Sequence, residues 1–141
     1  MLYKKVEQGY QALLLEQIYE KGHWQIPQGG RDGESLECAG SRELQEEIGT
    51  YRFRPIKTFA NLHKYKFPNN SGKKYRNYKG QSQGLLIAEF TGQDKDIKLN
   101  FWEYVAWQWV DIDQLFETVN PVRQKSMKIY IEKFKNNIIK K

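Results

Sequence analysis

The sequence has almost no cysteine, since Cys38 is the only one among its 141 residues. A single thiol excludes an internal disulfide framework and a Cys-based zinc cluster. Because Cys38 falls on an expected helix, we predict that it packs against the core. The sequence also has no run of about 18 apolar residues and no secretory signal pattern at its start. We therefore expect a cytoplasmic protein with no membrane partner, and no stable protein partner is implied.

Internal repeats and low-complexity linkers are missing as well. The chain has the length of one domain and is long enough for a substantial core. We expect a single domain that spans residues 1–141. His23 and His63 are the only histidines, and we expect both to be surface or structural residues.

The formal net charge is +6, so basic residues dominate the surface. Several of them lie in the middle of the chain, namely Lys64, Lys66, Lys73, Lys74, Arg76 and Lys79, and others lie in the C-terminal tail. A basic surface would attract a polyphosphate or a nucleic acid. A generally basic, solvated surface explains the tail lysines equally well.

The most informative segment runs from Trp24 to Thr50. If Leu36–Ile48 forms a helix, then Glu43, Glu46 and Glu47 stand at positions i, i+3 and i+4 on one face. Like charges at this spacing destabilise a helix unless a positive charge lies among them. The pattern therefore indicates a positive charge beside these three carboxylates.

Two kinds of positive charge could balance these carboxylates. Arg42 lies four residues before Glu46 and can neutralise part of the charge. Mg²⁺ is the more natural partner, because it takes carboxylate oxygens and completes its shell with water and substrate phosphates. The pattern thus indicates a metal site for phosphate chemistry. The alternative is a solvated acidic helix face, which is what most glutamate runs are.

These residues resemble a family signature. The pattern G-x5-E-x7-R-E-U-x-E-E-x-G-U, in which U is bulky and apolar, is the signature of Nudix hydrolases, which cleave nucleoside diphosphates linked to another group. The matching residues are Glu34, Arg42, Glu43, Leu44, Glu46, Glu47 and Gly49. The sequence departs from it twice. Gln28 stands where the first glycine is expected, so the loop with Gly29 and Gly30 is one residue short, and Thr50 takes the last apolar position.

The resemblance implies an α/β fold, in the form of an α/β/α sandwich around a mixed β-sheet. It also implies a pyrophosphohydrolase that depends on Mg²⁺, with Mn²⁺ as the alternative metal. Glu43, Glu46 and Glu47 would be metal ligands, and Glu46 would also act in catalysis. Glu34 would approach the helix if the loop folds back, and Arg42 would hold a carboxylate in place.

A second acidic residue lies downstream. Glu103 stands four residues before Trp107, which resembles the Glu-Phe-x-x-Trp segment of bacterial RNA 5′-pyrophosphohydrolases and dinucleoside polyphosphate hydrolases. In those enzymes this glutamate is an additional metal ligand or a base, so the resemblance implies the same role here. The alternative is an ordinary loop glutamate.

Two other segments are similar to the same branch of the family, Trp24–Gly30 and Tyr78–Gln81. The resemblance implies that Gly29, Gly30, Lys79 and Gln81 bind substrate. Lys79 could meet a phosphate as a point charge. The abundant aromatic residues could also stack on a base, although most aromatics at strand positions belong to a core.

Hydrophobic patterns predict the remaining elements. Strands are expected in Tyr10–Tyr19, Tyr51–Phe67, Tyr75–Phe90 and Trp102–Val110, and a loop at Asn69–Gly72. Only Met1–Val6 remains for a first strand. A short helix is expected over Asp111–Val119, capped by Asp111 or Asp113. A longer one is expected over Val122–Ile139, with a stripe of Val122, Met127, Ile131, Phe134 and Ile138.

The leading hypothesis is a Nudix pyrophosphohydrolase with one of two substrates, the 5′-triphosphate end of RNA or a dinucleoside polyphosphate. Both carry several linked phosphates beside a base. The basic segment Lys73–Lys79 would favour RNA if it lies beside the pocket. The alternative is a non-catalytic module that binds nucleotides or RNA, although a pure binder does not need the complete set of Glu43, Glu46 and Glu47.

Overall fold

This computed structural model describes residues 1–28, 34–65 and 81–140, with the backbone alone for residues 63–65 and 81–83. The strands are β1 (Leu2–Val6), β2 (Gly9–Gln17), β3 (Trp24–Gln25), β4 (Phe53–Tyr65), β5 (Gln81–Phe90) and β6 (Tyr104–Asp111). The α-helices are α1 (Leu36–Ile48), α2 (Leu115–Thr118) and α3 (Gln124–Phe134). Short 3₁₀ turns cover Asp94–Asp96, Ile112–Gln114 and Pro121–Arg123, and α3 continues into a π-helical turn at Lys135–Ile139. The expected loop at Asn69–Gly72 lies outside the described residues.

The six strands form one mixed sheet. β1 lies between β2, to which it is antiparallel, and β5, to which it is parallel. β4 pairs with β5 on the far side in antiparallel register. Gln11 and Ala12 pair with both β1 and β6, and Leu15 and Glu16 pair with both β3 and β6. β6 therefore takes one edge of β2, while β1 and β3 share the other.

Both faces of this sheet are covered, because β2 alternates between two cores. Leu13 and Leu15 point to the core formed with α1, and Leu14 points to the core formed with α3. All three side chains are fully buried. A strand covered on both sides reads as a continuous apolar run, which is why this segment was expected to be a buried strand. The predicted α/β/α sandwich around a mixed sheet is confirmed.

α1 has the bounds that its sequence predicted, because both ends carry local caps. Ser35 is the N-cap, and its hydroxyl accepts a hydrogen bond from the backbone N–H of Cys38 at 3.1 Å. Gly49 ends the helix with φ 71°, a left-handed conformation that costs glycine little, and its N–H donates to the Gln45 carbonyl. At the same end of the helix, the backbone N–H of Lys98 donates to the Ile48 carbonyl at 2.7 Å.

Three local predictions were wrong. Cys38 is exposed, because it lies about 100° around the helix from buried Ala39 and so faces away from the core. Asp111 stands at the N-cap position of the Ile112–Gln114 turn but makes no capping bond, and its carboxylate accepts from Gln11 instead. Val122 is 74% exposed, since it lies in a 3₁₀ turn whose period differs from that of α3.

In the part of the chain that the structure describes, no helix is long and apolar enough to cross a membrane.

Candidate active site

Arg42 lies at the centre of the acidic residues of the motif. Its Nη2 donates to Glu34 Oε1 at 2.7 Å and its Nε to both Glu34 oxygens, while Nη1 donates to Glu43 Oε1 at 2.8 Å. Glu46 Oε1 lies 3.5 Å from the same Nη1. These hydrogen bonds, chiefly the one with Glu34, raise the pKa of Arg42, and the hydrogen bond from Arg42 lowers the pKa of Glu34. Arg42 thus ties Glu34, which lies just before the helix, to the acidic face of the helix.

The three helical glutamates occupy different environments. The side chain of Glu46 is 57% exposed and that of Glu43 is 22% exposed, whereas Glu47 is almost fully buried at 2%. Because Glu47 is three residues after buried Leu44 and four after Glu43, it sits where the acidic face meets the apolar stripe of α1. The predicted set therefore extends from solvent into the core.

Glu47 is held by two donors. Its Oε2 accepts from the backbone N–H of Gln28 at 3.1 Å, and its Oε1 accepts from the Tyr104 hydroxyl at 3.4 Å. Burial, together with the negative charges of Glu103 and Glu43, raises the pKa of Glu47 to about 8, although the two hydrogen bonds lower it. Burial, with the neighbouring charge of Glu47, also raises the pKa of Tyr104. A carboxyl at this position gains strongly from any cation beside it.

Glu103 belongs to a turn that is fixed by Asn100. The side chain of Asn100 accepts from the Trp102 N–H at 3.2 Å and donates to Glu103 Oε1 at 3.1 Å. The Glu103 carbonyl accepts from the N–H of Ile18 at 2.8 Å, which ties the turn to the end of β2. Because the Asn100 N–H donates to the Glu47 carbonyl and the Tyr104 hydroxyl donates to Glu47 Oε1, both at 3.4 Å, the structure brings together the two acidic segments that were predicted separately.

The donor set suits a hard divalent cation, because carboxylates gather where their own repulsion disfavours the charged form of Glu47. Among the described residues, however, no three His, Cys, Asp or Glu side chains already stand in a metal-holding group. One reason is that Arg42 engages Glu43 and Glu34. The assignment of Glu43, Glu46, Glu47 and Glu103 as ligands stays a prediction.

Most of the predicted substrate-binding residues lie outside the part of the chain that the structure describes. Gly29, Gly30 and Lys79 lie outside the described residues. Gln81 begins β5, where its backbone pairs with Tyr65, and its side chain is not among those described. The structure therefore leaves these four predictions as they stand.

A set of buried polar residues near Glu47 was missed at the level of sequence. Gln17 Nε2 donates to Gln25 Oε1 at 2.6 Å, and Gln25 Nε2 donates to the Tyr104 hydroxyl at 3.3 Å. On the other side, Arg123 donates to both Gln28 and His23. His23 is buried and is therefore structural, as expected. Glutamines in an otherwise apolar strand are the signal that could have marked the Gln17–Gln25 pair.

The aromatic residues separate into two groups. Trp107 and Trp109 pack on the α1 core, and Trp109 Nε1 donates to Asp94 at 2.9 Å. Phe101 and Trp102, in the turn before Glu103, remain 69% and 73% exposed. Trp107 and Trp109 are partly buried against the core, as their strand positions predicted, whereas Trp102, which was expected to begin that strand, lies in the turn before it.

Comparison with known proteins decides the family. A profile described as NUDIX domain matches residues 4–131. The chain belongs to the Nudix family. Members of this family generally use divalent metal ions. The prediction of a Nudix hydrolase acting on phosphoanhydrides is confirmed.

Two relatives and two solved structures place this Nudix chain more closely. A protein of Wolbachia pipientis wMel named RNA pyrophosphohydrolase is 35% identical over 139 residues, which cover 92% of this chain and 83% of the relative. One of the same name from Orientia tsutsugamushi strain Boryong is 34% identical, covering 79% and 73%. A C. elegans Ap4A hydrolase superposes with TM-score 0.64 at 20% identity, covering 92% and 89%. A Nudix hydrolase from M. smegmatis superposes with TM-score 0.70 at 16% identity, covering 98% and 84%.

Proposed function

We propose that this Nudix chain is a Mg²⁺-dependent pyrophosphohydrolase that acts on the 5′-triphosphate end of RNA. The observation that carries the proposal is the buried carboxylate of Glu47, which lies one helical turn from Glu43 on a residue whose backbone carbonyl is hydrogen-bonded to the turn that carries Glu103. In the free protein these carboxylates repel one another, and a bound cation that also contacts the phosphate chain would relieve the repulsion. The relatives named RNA pyrophosphohydrolase, which match most of the chain, support the choice of RNA.

The proposed reaction is hydrolysis of a phosphoanhydride bond. A water oxygen attacks phosphorus, the P–O bond of the anhydride breaks, and the water gives up a proton. The products are a 5′-monophosphorylated RNA and pyrophosphate. Mg²⁺, when bound, neutralises the charge that develops on the phosphate oxygens and makes a water molecule more acidic.

The residues divide this work by their exposure. Glu43, Glu46, Glu47 and Glu103 would hold the metal. Glu46, the most exposed of the three helical glutamates, and Glu103, exposed in its turn, can also accept the proton of the attacking water. Arg42 orients Glu34 and Glu43 through its hydrogen bonds, so we propose that it acts on catalysis through these carboxylates. Gly29, Gly30, Lys79 and Gln81 are the proposed contacts for the phosphate chain.

A dinucleoside polyphosphate is the second candidate substrate, because it offers the same linked phosphates beside a base. The superposed C. elegans protein is an Ap4A hydrolase, but at 20% identity that likeness concerns the fold alone. A non-catalytic binding module is less well supported, since the complete set of helical glutamates has no purpose in a protein that only binds.

The test is a measurement of product release with a panel of substrates. The full chain is incubated with Mg²⁺ or Mn²⁺ and 5′-triphosphorylated RNA, diadenosine tetraphosphate or a nucleotide sugar, and pyrophosphate and phosphate are measured. We expect the highest kcat/KM for RNA. Glu37→Gln is the matched control. Glu37 is exposed on the same helix, next to Cys38, and lies away from the acidic face. No turnover of any substrate by metal-loaded protein would favour the binding module.

A further inference from the structure

Arg123 lies far from the motif in sequence but next to it in space. It ends the 3₁₀ turn Pro121–Arg123 that precedes α3. Its Nη1 donates to the side-chain oxygen of Gln28 at 2.7 Å, and its Nε donates to His23 Nε2 at 3.1 Å. One guanidinium thus holds two residues that flank β3.

His23 fixes the position of Arg123. Its Nδ1 lies 2.8 Å from Glu20 Oε2, and its Nε2 faces the Arg123 donor. The network therefore assigns the proton to Nδ1, which donates to Glu20 while Nε2 accepts. The same turn is tied to β3 a second time, because the N–H of Asn120 donates to the Trp24 carbonyl at 3.0 Å.

Gln28 makes one hydrogen bond through its side chain and one through its backbone, and the backbone hydrogen bond reaches the acidic site. Its side chain accepts from Arg123, while its backbone N–H donates to Glu47 Oε2 at 3.1 Å. Movement of the Gln28 side chain therefore moves the donor that orients the Glu47 carboxylate. Gln28 is also the residue that stands in place of the first glycine of the signature, so here the chain has a side chain for Arg123 to hold.

We infer that Arg123 is a positioning residue for the metal site. It fixes Gln28, whose N–H donates to Glu47 Oε2 and so sets the orientation of that carboxylate. The inference rests on the proposed function in that it takes Glu47 as a metal ligand. Partners of this kind, one step removed from a metal, typically change metal affinity or activity by about 10- to 100-fold when they are removed.

Arginine suits this position better than lysine. The guanidinium presents donors on separate nitrogens in a rigid plane, so it can serve Gln28 and His23 at once. A lysine ammonium is a single point on a flexible stem and cannot hold both acceptors in the same way. Charge alone is therefore not sufficient for the role.

The experiment measures metal binding in the absence of substrate. Mn²⁺ is titrated into wild-type protein, Arg123→Ala, Arg123→Lys and Gln28→Leu, with thermal unfolding of each to confirm folding. We expect Mn²⁺ affinity to fall about 10-fold in all three variants, and kcat to fall with little change in KM. Lys125→Ala is the control, since Lys125 is an exposed cation two residues away, and it should match the wild type.

A second arm asks whether the effect runs through Glu47. In a Glu47→Gln background, Arg123→Ala should produce no further loss of Mn²⁺ affinity, because coupled residues are not additive. Unchanged affinity in Arg123→Ala together with a raised KM would overturn the inference and make Arg123 a direct substrate contact. A wild-type protein that binds no Mn²⁺ would instead overturn the proposed metal site, so the two failures are distinguishable.

Discussion

At the scale of the residue, Glu47 combines burial with charge. Two hydrogen bonds stabilise its ionised form, yet its pKa still rises to about 8, because burial and the charges of Glu103 and Glu43 outweigh them. The protein thus keeps a carboxylate where it is costly to ionise. Such groups cluster at functional sites, where a ligand supplies the missing positive charge.

This pKa predicts how stability depends on pH in protein stripped of metal. Between the ordinary pKa of 4.5 and the folded value of about 8, the folded state keeps a proton that the unfolded state has released. The free energy of unfolding contributed by Glu47 therefore falls as pH rises through this window, by up to about 1.4 kcal/mol per unit. Glu47→Gln should remove this fall and gain stability over wild type toward pH 8.

The comparison of the two proteins is essential, because another group opposes the trend. Burial lowers the pKa of the Met1 amino group to about 5, so its contribution to stability rises over nearly the same range. Urea unfolding of both proteins with EDTA at several pH values gives the contribution of Glu47 as the difference between them, including the effect of its charge on the Met1 amino group. A difference that does not grow between about pH 5 and pH 8 would contradict the prediction.

A second prediction concerns turnover. Glu46→Gln and Glu47→Gln each keep the shape of the side chain and remove its charge, so both should fold and both should lose about 100-fold or more in kcat. The measurement is pyrophosphate release at saturating Mg²⁺, with Glu37→Gln as the control. More than about a tenth of the wild-type rate in both variants would be incompatible with the metal-site assignment.

The sequence predicted residues of this site where helical spacing or the family resemblance revealed them. Glu43, Glu46 and Glu47 were found because helical periodicity places them on one face. Gln28, His23 and Arg123 were not connected, since they meet through side chains about 100 positions apart. No spacing rule links residues on separate elements.

At the scale of the element, the backbone of α1 packs closely against neighbouring segments at two glycines. A Cβ added at Gly40 would lie 2.9 Å from the side chain of Leu86 in β5, so the helix packs tightly on the sheet at that point. A Cβ added at Gly49 would lie 2.4 Å from the Lys98 carbonyl oxygen. The cost of glycine in the helix is thus offset by packing that a larger residue would prevent.

Two glycine variants separate the cost of a left-handed backbone from the cost of a steric clash at the C-terminal end of α1. Gly49 and Gly22 both have positive φ, at 71° and 81°, but an added Cβ at Gly22 meets nothing within 4 Å. Gly22→Ala should cost only the backbone term of about 1–2 kcal/mol. Gly49→Ala should cost more, because it also displaces Lys98, and it should lower kcat by moving the acidic face. Chemical denaturation and steady-state kinetics test this, and equal losses in both variants would refute the steric argument.

The elements themselves were predicted well where caps and periodicity agree. α1 was correct at both ends: Gly49 marked its C-terminal exit, and the structure adds Ser35 as the N-cap. The C-terminal helix was too long in prediction, since it begins with a 3₁₀ turn that leaves Val122 exposed and ends in a π-helical turn through which the buried stripe continues to Ile138. Strand pairing, such as β1 between β2 and β5, depends on tertiary contacts and could not be read from the sequence.

At the scale of the whole molecule, the net charge of +6 contrasts with the acidic site. The basic segment Lys73–Lys79 lies outside the described residues, so its role stays a prediction. If it follows the substrate path, it should bind backbone phosphates that only RNA provides.

The test is the salt dependence of binding. Lys79→Ala should weaken polyphosphate binding without changing metal affinity, and charge reversal of Lys73 and Lys74 should weaken RNA more than diadenosine tetraphosphate. Each lost phosphate contact should also reduce the log–log salt slope by about 0.7 for single-stranded RNA. Unchanged RNA affinity and slope in the double variant would make a dinucleoside polyphosphate the better substrate.

The hydrogen bonds from Lys98 to Ile48, and from the Asn100 N–H to the Glu47 carbonyl at 3.4 Å, are made by backbone alone. Together with the side chain of Asn100, which holds the turn, they set the distance from the helix end to Glu103. Inserting or deleting one residue in 99–102 would shift Glu103 by up to about 3.8 Å, the spacing of successive Cα atoms, which is more than the tolerance of a hydrogen bond. Related sequences that keep this site should therefore hold the length of that segment constant and keep Asn100, while its other positions vary.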